Sequence, residues 1–214
     1  MRAGRQTTYA GVEELRASFE LRKAQIRKRL EDFAAVLPDD YFFELVYCLL
    51  TPQSSAVNAG RAVEELRRAG VQGDPGECVR ILADPAHYIR FHNTKAKRIG
   101  EAERMFARIA HQVSNGSTSH ELREWLVNNV QGLGWKEASH FLRNIGHRNL
   151  AILDRHILRN LKRHTVLRTL PTTLTKRRYL RIEEQFRLFA DAVGISMDEL
   201  DLLFWSTETG RILK

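Results

Sequence analysis

Gln131-Gly132-Leu133-Gly134-Trp135-Lys136 separates two helical segments and is the most informative stretch of this sequence. The segment before it, from Glu121 to Val130, has the spacing of apolar residues that is typical of a helix, and a second helix is expected to start at about Trp135. Two glycines separated by one apolar residue permit a tight turn and let the backbone approach another chain closely. The stretch therefore predicts a hairpin of two helices.

Helical patterns extend from the hairpin over most of the chain. Apolar residues recur at three- and four-residue steps in two further stretches, Ile99, Ala102, Phe106, Ile109 and Val113, and Ile182, Phe186, Phe189 and Val193. Capping boxes beginning at Thr118 and Ser196 predict helix starts, and Gly70 and Gly194 stand where left-handed C-caps are expected. Because the alternation typical of strands is poor, the sequence predicts an all-α protein of roughly nine or ten helices.

Composition excludes several classes of protein. Of the 214 residues, 43% are apolar and 28% are charged, which excludes a disordered chain. No apolar run approaches the roughly 18 residues of a membrane span, and the polar start is unlike a signal peptide. Two cysteines, Cys48 and Cys78, are too few for a thiol metal cluster, and we expect them to be reduced. A cytoplasmic location follows as an expectation.

Basic residues are concentrated in the second half of the chain. Between Lys136 and Arg181 there are twelve basic and two acidic residues, in a protein whose net charge is +8. Such a segment is either a solvated face or a surface for a polyanion, and charge alone does not separate nucleic acid from an acidic protein or a membrane. A helix-hairpin-helix, however, points backbone N–H groups at an anion such as a DNA phosphate. Such contacts hold a duplex regardless of its sequence.

Lys136 lies in the first turn of the predicted second helix, where the helix dipole favours anions. This positive field, with partial burial, favours the neutral amine that a nucleophile needs, which suits Schiff-base chemistry. The alternative is a lysine that contacts phosphate or solvent.

Asp154 follows the apolar run Leu150 to Leu153 and opens a basic helix, Arg155 to His164. An Asp at this place is an ordinary N-cap, worth about 1 kcal/mol. Because the apolar run should be buried, the carboxylate would stand at the rim of a dry pocket. There it could deprotonate the lysine or stabilise a cationic sugar. Capping and catalysis are compatible.

These residues together resemble a known family. The stretches Gln131–Gly146 and Leu150–His156 are similar to the helix-hairpin-helix DNA glycosylases, and more narrowly to the type 2 8-oxoguanine DNA glycosylase/lyases. Three further stretches fit the same family: Leu50–Ala56, Tyr88–Ala96 and Leu202–Lys214. The chain lacks the four-cysteine iron–sulfur loop of the endonuclease III branch, and residues 1–38 carry no matching motif.

The resemblance implies an all-α fold of two helical lobes, with the helix-hairpin-helix motif and the active site in the cleft between the lobes. It implies three parts: 1–50, N-terminal helices packing with the C-terminal lobe; 51–135, a central lobe ending in the hairpin; and 136–214, the catalytic helix, basic segment and C-terminal helices. By resemblance, Lys136 attacks C1′ of the damaged nucleotide and expels the base, and Asp154 is the essential carboxylate. The imine then permits β-elimination, which cuts the strand 3′ to the lesion.

An enzyme of this kind extrudes the base from the duplex and fills the gap. By resemblance, the residues that contact DNA are Gly132, Gly134, Arg90, Phe91 and Gln53. Arg90 and Phe91 would contact the orphaned cytosine and wedge into the stack, and Gln53 would supply a gap-filling amide. Phe91 could instead pack in the core.

The resemblance also assigns the base pocket. Trp205 would stack on the flipped base, and Lys214, whose terminal carboxylate can accept the N7–H of the lesion, would distinguish 8-oxoguanine from guanine. Trp205 could instead be a core residue beside Leu202 and Phe204, and Lys214 could be a frayed end.

The remaining expectations concern cofactors, partners and alternatives. No cofactor and no metal is expected, because the eight histidines lack the spacing of a metal site and are interpreted as surface or phosphate-side residues. The expected partner is double-stranded DNA containing 8-oxoguanine, bound by a monomer in the cytoplasm, associated with the nucleoid, without a membrane. Two alternatives stay open: a glycosylase for a different damaged base, and a non-enzymatic helix-hairpin-helix module that binds DNA structure.

Overall fold

The computed structural model describes residues 8–70 and 74–212. In these residues the chain forms eleven α-helices and two short 3-10 helices, Pro38–Asp40 and Pro85–His87, and no strand. The α-helices are α1 (Val12–Ala34), α2 (Tyr41–Leu50), α3 (Ala56–Ala69), α4 (Pro75–Leu82), α5 (His92–Arg104), α6 (Phe106–Ser114), α7 (Ser119–Asn129), α8 (Trp135–Asn144), α9 (Arg155–Arg163), α10 (Lys176–Val193) and α11 (Met197–Thr209). The all-α prediction is confirmed.

The helix count exceeds the prediction because one continuous apolar stripe belongs to two helices. α5 ends at Arg104 and α6 begins at Phe106, and Met105 between them has φ −104° and ψ 5°. These angles lie in the sparsely populated bridge region, where one residue can end a helix without displacing the apolar spacing that follows. Periodicity alone therefore did not reveal the break.

The predicted helix ends are confirmed where they rest on capping chemistry. Thr118 and Ser196 each accept the N–H of a glutamate three residues on, and each glutamate accepts the N–H of its cap. Gly70 and Gly194 end α3 and α10 with φ of 58° and 72°, the left-handed conformation that glycine adopts without strain.

The chain divides into two compact units. The central unit runs from Asp32 to Arg148. Its core is built around α2, which is apolar on all sides and is packed by α3, α5 and α8. Leu45, Leu49 and Leu50 on α2 are at most 1% exposed.

The terminal unit consists of Met1–Glu31 and Asn149–Leu213. In it α11 packs against α9 and α10. Phe186, Phe189 and Phe204 are buried in its core, and the His164 ring stacks on Phe189 and Phe204 at centroid distances of 5.6 and 5.7 Å.

The predicted boundaries after residues 50 and 135 both fall inside the central unit, and the three-part division stays a prediction. Within the described residues, none of the helices combines the length and the apolarity that spanning a bilayer requires.

Candidate DNA-binding and catalytic site

The helix hairpin expected from the sequence is formed by α7 and α8 in the central unit. Gly132 has a φ of +96°, and a Cβ there would lie 2.6 Å from the Arg98 side chain, so both conformation and space require glycine. Gly134 has an ordinary φ of −89°, but a Cβ would come within 2.8 Å of the Glu137 carboxylate. Because the two glycines have no side chain, the side chains of Arg98 and Glu137 can lie close to the hairpin backbone.

Lys136 lies in the first turn of α8, as expected, and its side chain is 28% exposed. Its Nζ is 3.2 Å from one carboxylate oxygen of Glu137. The other oxygen of Glu137 accepts the backbone N–H of Gly134 at 3.2 Å. Glu137 therefore places a proton acceptor beside the amine while it caps the helix. Our sequence analysis missed this role, although its position three residues after Gly134 is the signature of a capping glutamate.

The segment that leads to Asp154 has no helical structure and is buried in the terminal unit. Residues 150–153 are 1–4% exposed, as the sequence predicted. Their backbone groups bond to side chains of α10: the Ala151 N–H donates to Glu183 at 2.8 Å, and the Tyr179 hydroxyl donates to the Ala151 carbonyl at 2.5 Å. The Leu153 N–H donates to the same hydroxyl at 3.3 Å. Because buried backbone groups need partners, these bonds fix the chain just before Asp154.

Asp154 is the N-cap of α9, and this interpretation is confirmed. Its Oδ1 accepts the N–H groups of His156 and Ile157, both at 2.8 Å. Among the residues that the structure describes, Oδ2 has no hydrogen-bonding partner. One oxygen thus serves the helix, and the other is available to a ligand.

Two loops of the central unit present the expected gap-filling residues. Gln53 lies between α2 and α3, is exposed and has a φ of +57°. Phe91, directly before α5, has a φ of +59° and is 52% exposed, so the core-packing alternative is wrong. The Arg90 guanidinium lies 5.2 Å from the Phe91 ring centroid. Non-glycine residues in left-handed conformations are strained, and such strain concentrates at functional sites.

Trp205 lies on α11 in the terminal unit and is half-buried, whereas its neighbours Leu202 and Phe204 are 1% exposed. Its ring centroid is 5.0 Å from that of His156, whose Nδ1 lies 3.5 Å from the Glu208 carboxylate. Trp205 is therefore not a fully enclosed core residue. Lys214, the other residue expected in the base pocket, lies outside the described residues.

The structure groups most of the predicted residues on the central unit, namely Lys136, Gly132, Gly134, Arg90, Phe91 and Gln53. Asp154 and Trp205 belong to the terminal unit. His156 links these two residues, since its backbone N–H donates to the Asp154 carboxylate and its ring contacts that of Trp205. The sequence analysis missed His156, and its position two residues after the capping aspartate was the available signal.

Not every basic or histidine residue is on the surface. His87, His140 and His164 are 7%, 8% and 7% exposed, so their interpretation as surface or phosphate-side residues is wrong. The His140 ring contacts that of Tyr47, and His164, which directly follows α9, stacks on Phe189 and Phe204. Arg143, within the basic segment, is 3% exposed and lies over the Phe33 ring at 4.6 Å, so it does not face a polyanion. No group of three His, Cys, Asp or Glu side chains in the described part of the chain could hold a metal ion.

The two cysteines are free and buried, as expected for Cys48. Burial raises the pKa of the Cys48 thiol well above its usual value, and it raises that of Cys78 to about 11. Both thiols are therefore protonated and inert as nucleophiles at neutral pH.

Comparison with known proteins agrees with these features. The sequence profile of the 8-oxoguanine DNA glycosylase family matches residues 26–195. A curated relative from Fusobacterium nucleatum, named 8-oxoguanine DNA glycosylase/AP lyase, is 39% identical over an alignment of 213 positions that covers 94% of this chain and 96% of the relative.

Two solved structures are also similar to this chain over nearly its full length. The crystal structure of the 8-oxoguanine DNA glycosylase of Thermotoga maritima superposes with a TM-score of 0.85 at 36% identity, covering 95% of this chain and 98% of that chain. The 8-oxoguanine glycosylase/lyase of Methanocaldococcus jannaschii, crystallised with a 15mer DNA containing 8-oxoguanine, gives a TM-score of 0.85 at 34% identity, covering 94% of this chain and 100% of that chain.

An all-helical chain with a glycine hairpin, a lysine in the helix that follows it and a capping aspartate beyond is a helix-hairpin-helix DNA glycosylase by class. The match to the family profile and the 34–39% identity over nearly the full chain narrow this class to one family. This chain belongs to the 8-oxoguanine DNA glycosylase family.

Proposed function

We propose that this protein excises 8-oxoguanine from duplex DNA through a Schiff base on Lys136 and then cleaves the abasic strand 3′ to the lesion by β-elimination. The observation that carries the proposal is the position of Lys136, in the first turn of α8 directly after the hairpin, with a carboxylate oxygen of Glu137 3.2 Å from its amine. A lysine is unfavourable at a helix N-terminus. Helix stability therefore does not account for a lysine at this position, which supports a catalytic role.

In the first step the neutral amine of Lys136 attacks C1′ of the damaged nucleotide. The N–C1′ bond to the lysine forms as the glycosidic bond breaks, and the expelled base takes up a proton. Glu137 is placed to accept the proton that the ammonium must lose before attack. Positive charge develops on the sugar in the transition state, and Oδ2 of Asp154, which does not cap α9, would stabilise that charge.

In the second step the opened sugar and Lys136 share an imine. The imine withdraws electrons from C2′, a base removes a C2′ proton, and the 3′ phosphate leaves as the C2′–C3′ double bond forms. Hydrolysis of the imine then returns the lysine. Only the expulsion of the base distinguishes damaged from undamaged DNA, whereas the elimination step needs the abasic sugar alone.

Binding to DNA would use the hairpin and two loops of the central unit, together with one residue of the terminal unit. The hairpin glycines and the N-terminus of α8 would hold phosphate through backbone N–H groups. Phe91, exposed and strained, would wedge into the stack, with Arg90 at the orphaned cytosine and Gln53 in the gap. Trp205 would stack on the extruded base, a contact worth about 1–3 kcal/mol.

The further details rest on family membership. We propose that Lys214 helps to recognise the N7–H that 8-oxoguanine has and guanine lacks. We also propose a monomer that acts in the cytoplasm, near the nucleoid, on double-stranded DNA, with Lys136 and Asp154 in the cleft between two lobes. The M. jannaschii relative crystallised with 8-oxoguanine DNA supports this choice of partner.

The test is borohydride trapping on duplexes with 8-oxoguanine or guanine opposite cytosine, with wild type and Lys136→Gln. We expect a covalent adduct with the lesion only, and none with the variant. Adducts that form solely on a pre-formed abasic site would point to a different base. No adduct with any substrate would leave a DNA-binding module without lysine chemistry.

A further inference from the structure

Lys95 on α5 is a buried lysine that the catalytic scheme does not use. Its side chain is 2% exposed, which is rare for lysine unless its charge is satisfied. The ammonium reaches three acceptors on the chain between α2 and α3: the carbonyls of Leu50 and Pro52, both at 2.7 Å, and the Ser54 hydroxyl at 3.1 Å. An ammonium has three N–H donors, so these acceptors use its full capacity.

The three acceptors surround Gln53 in the sequence. Leu50 is the last residue of α2, so its carbonyl is one of those that a helix leaves without an internal partner. Pro52 and Ser54 flank Gln53, which is held at a φ of +57° with its side chain exposed. Such a conformation persists in a non-glycine residue only when its surroundings fix it. Lys95 supplies that fixation from a helix more than 40 residues away in sequence.

The same lysine is joined to the loop that carries Phe91. The backbone N–H of Lys95 donates to the Phe91 carbonyl at 3.0 Å, as the first turn of α5 requires, and the Ser54 hydroxyl that accepts from the Lys95 ammonium also accepts the backbone N–H of Arg90 at 3.1 Å. Phe91 is itself in a left-handed conformation, with a φ of +59°. The Gln53 loop is thus tied to the loop of Arg90 and Phe91 through the Ser54 hydroxyl, which the Lys95 ammonium and the Arg90 N–H share.

This arrangement is costly. The charged groups that act on Lys95 are Arg98, Lys136 and Arg90, all cations, and its hydrogen-bonding partners among the described residues are neutral carbonyl and hydroxyl oxygens. Burial first, and then these cations, lower the pKa of Lys95 to about 8. A buried charge with these neighbours is weak evidence of stabilisation, and its retention indicates a role in geometry.

We propose that Lys95 is a positioning residue for lesion extrusion, which holds the Gln53 and Phe91 loops in register so that both enter the duplex together. The inference rests on the proposed function, because it assumes that these loops fill the gap left by an extruded base. It assigns the register of the two loops to a residue that does not itself contact DNA or the reacting atoms.

The test compares Lys95→Met, which keeps the length of the side chain and removes its donors, with Lys97→Met, which removes an exposed charge from the same helix. Each is assayed for single-turnover excision from an 8-oxoguanine duplex and for strand cleavage at an abasic site in a single strand, where no base is extruded and no gap is filled. We expect Lys95→Met to lose about tenfold or more on the duplex and less than about twofold on the single strand. Lys97→Met should keep the wild-type ratio of the two rates.

A merely structural role for Lys95 would lower both rates together and leave their ratio unchanged, which would overturn the proposal. If Lys95→Met does not fold, Ser54→Ala removes the acceptor that the two loops share and should lower the same ratio. The wild type provides a further readout: the ratio should fall as the pH rises above 8, because a neutral amine has only two N–H donors. A ratio that is flat from pH 7 to 9.5 would contradict the proposal.

The outcome also separates this inference from the proposed function. If wild type forms no lysine adduct with either substrate, the proposed function itself fails. If wild type is active and the variants keep its ratio, only the role of Lys95 is wrong.

Discussion

Lys136 and Asp154 each begin a helix, and the two helices treat them in opposite ways. Asp154 suits its position: it caps α9 with two 2.8 Å hydrogen bonds, and its negative charge faces the positive end of the helix dipole. Lys136 opposes the dipole of α8 and has Glu137 3.2 Å away. A functional residue that also stabilises the fold is hidden by its structural explanation, whereas one that the fold disfavours points directly to function.

The largest expected effect is on Lys136. Lys136→Gln should abolish turnover and adduct formation, yet change the free energy of unfolding by less than about 1 kcal/mol, since the repulsion from the dipole and the partly exposed ion pair with Glu137 are lost together. Urea denaturation and borohydride trapping on the same preparation measure both. Lys97→Gln, at an exposed site on α5, is the control. A large loss of stability in Lys136→Gln would show that Lys136, like Asp154, stabilises the fold.

Asp154 should show the two roles separately. Asparagine caps a helix about as well as aspartate, so Asp154→Asn should keep the free energy of unfolding within about 0.5 kcal/mol of wild type while lowering excision by about 100-fold or more. Asp154→Ala should lose that activity and about 1 kcal/mol of stability besides. Thermal denaturation and single-turnover excision distinguish these. If Asp154→Asn were fully active, capping would be the only role of this residue.

The hairpin glycines should differ in the same manner. Gly132→Ala places a Cβ at a φ of +96° and 2.6 Å from Arg98, so we expect about 1–3 kcal/mol of strain and a similar loss of affinity for intact and damaged duplexes. Gly134→Ala has an ordinary φ and meets only the flexible end of Glu137, so its loss should be smaller. Duplex affinity measured for both variants at one salt concentration tests the order. Equal losses would show that the conformation of Gly132 is not the determinant.

The last prediction concerns the pH dependence of stability at Lys95, a second charge that the fold disfavours. Its pKa is lowered from 10.5 to about 8 in the folded protein, so between these values the unfolded chain binds more protons and stability rises with pH. The free energy of unfolding of wild type should therefore rise relative to Lys95→Met from pH 8 to 10.5, as measured by urea denaturation. Extrusion should weaken over the same range, so stability and function would move in opposite directions. A difference independent of pH would show that burial does not lower this pKa.

Much of the site could be predicted because it depends on neighbours in the sequence. The hairpin, the capping boxes at Thr118 and Ser196, and the cap at Asp154 each involve residues two to four apart, which the sequence displays directly. The break at Met105 could not be predicted in this way, because apolar spacing continues across it. The burial of His140 and His164 also escaped prediction, since a histidine occurs both at packed and at exposed positions and does not itself indicate which one it occupies.

By itself, then, the sequence determined the helical class, the hairpin and the positions of Lys136 and Asp154 at helix starts, and its resemblance to the family supplied their roles. Only the tertiary structure placed Lys95 under the Gln53 loop, Arg98 against Gly132, and Tyr179 and Glu183 on the segment before Asp154. The physical reason is the separation along the sequence over which each interaction acts. Backbone capping acts within one turn of helix, whereas a buried ammonium or a packed guanidinium finds its partners only after distant segments have come together.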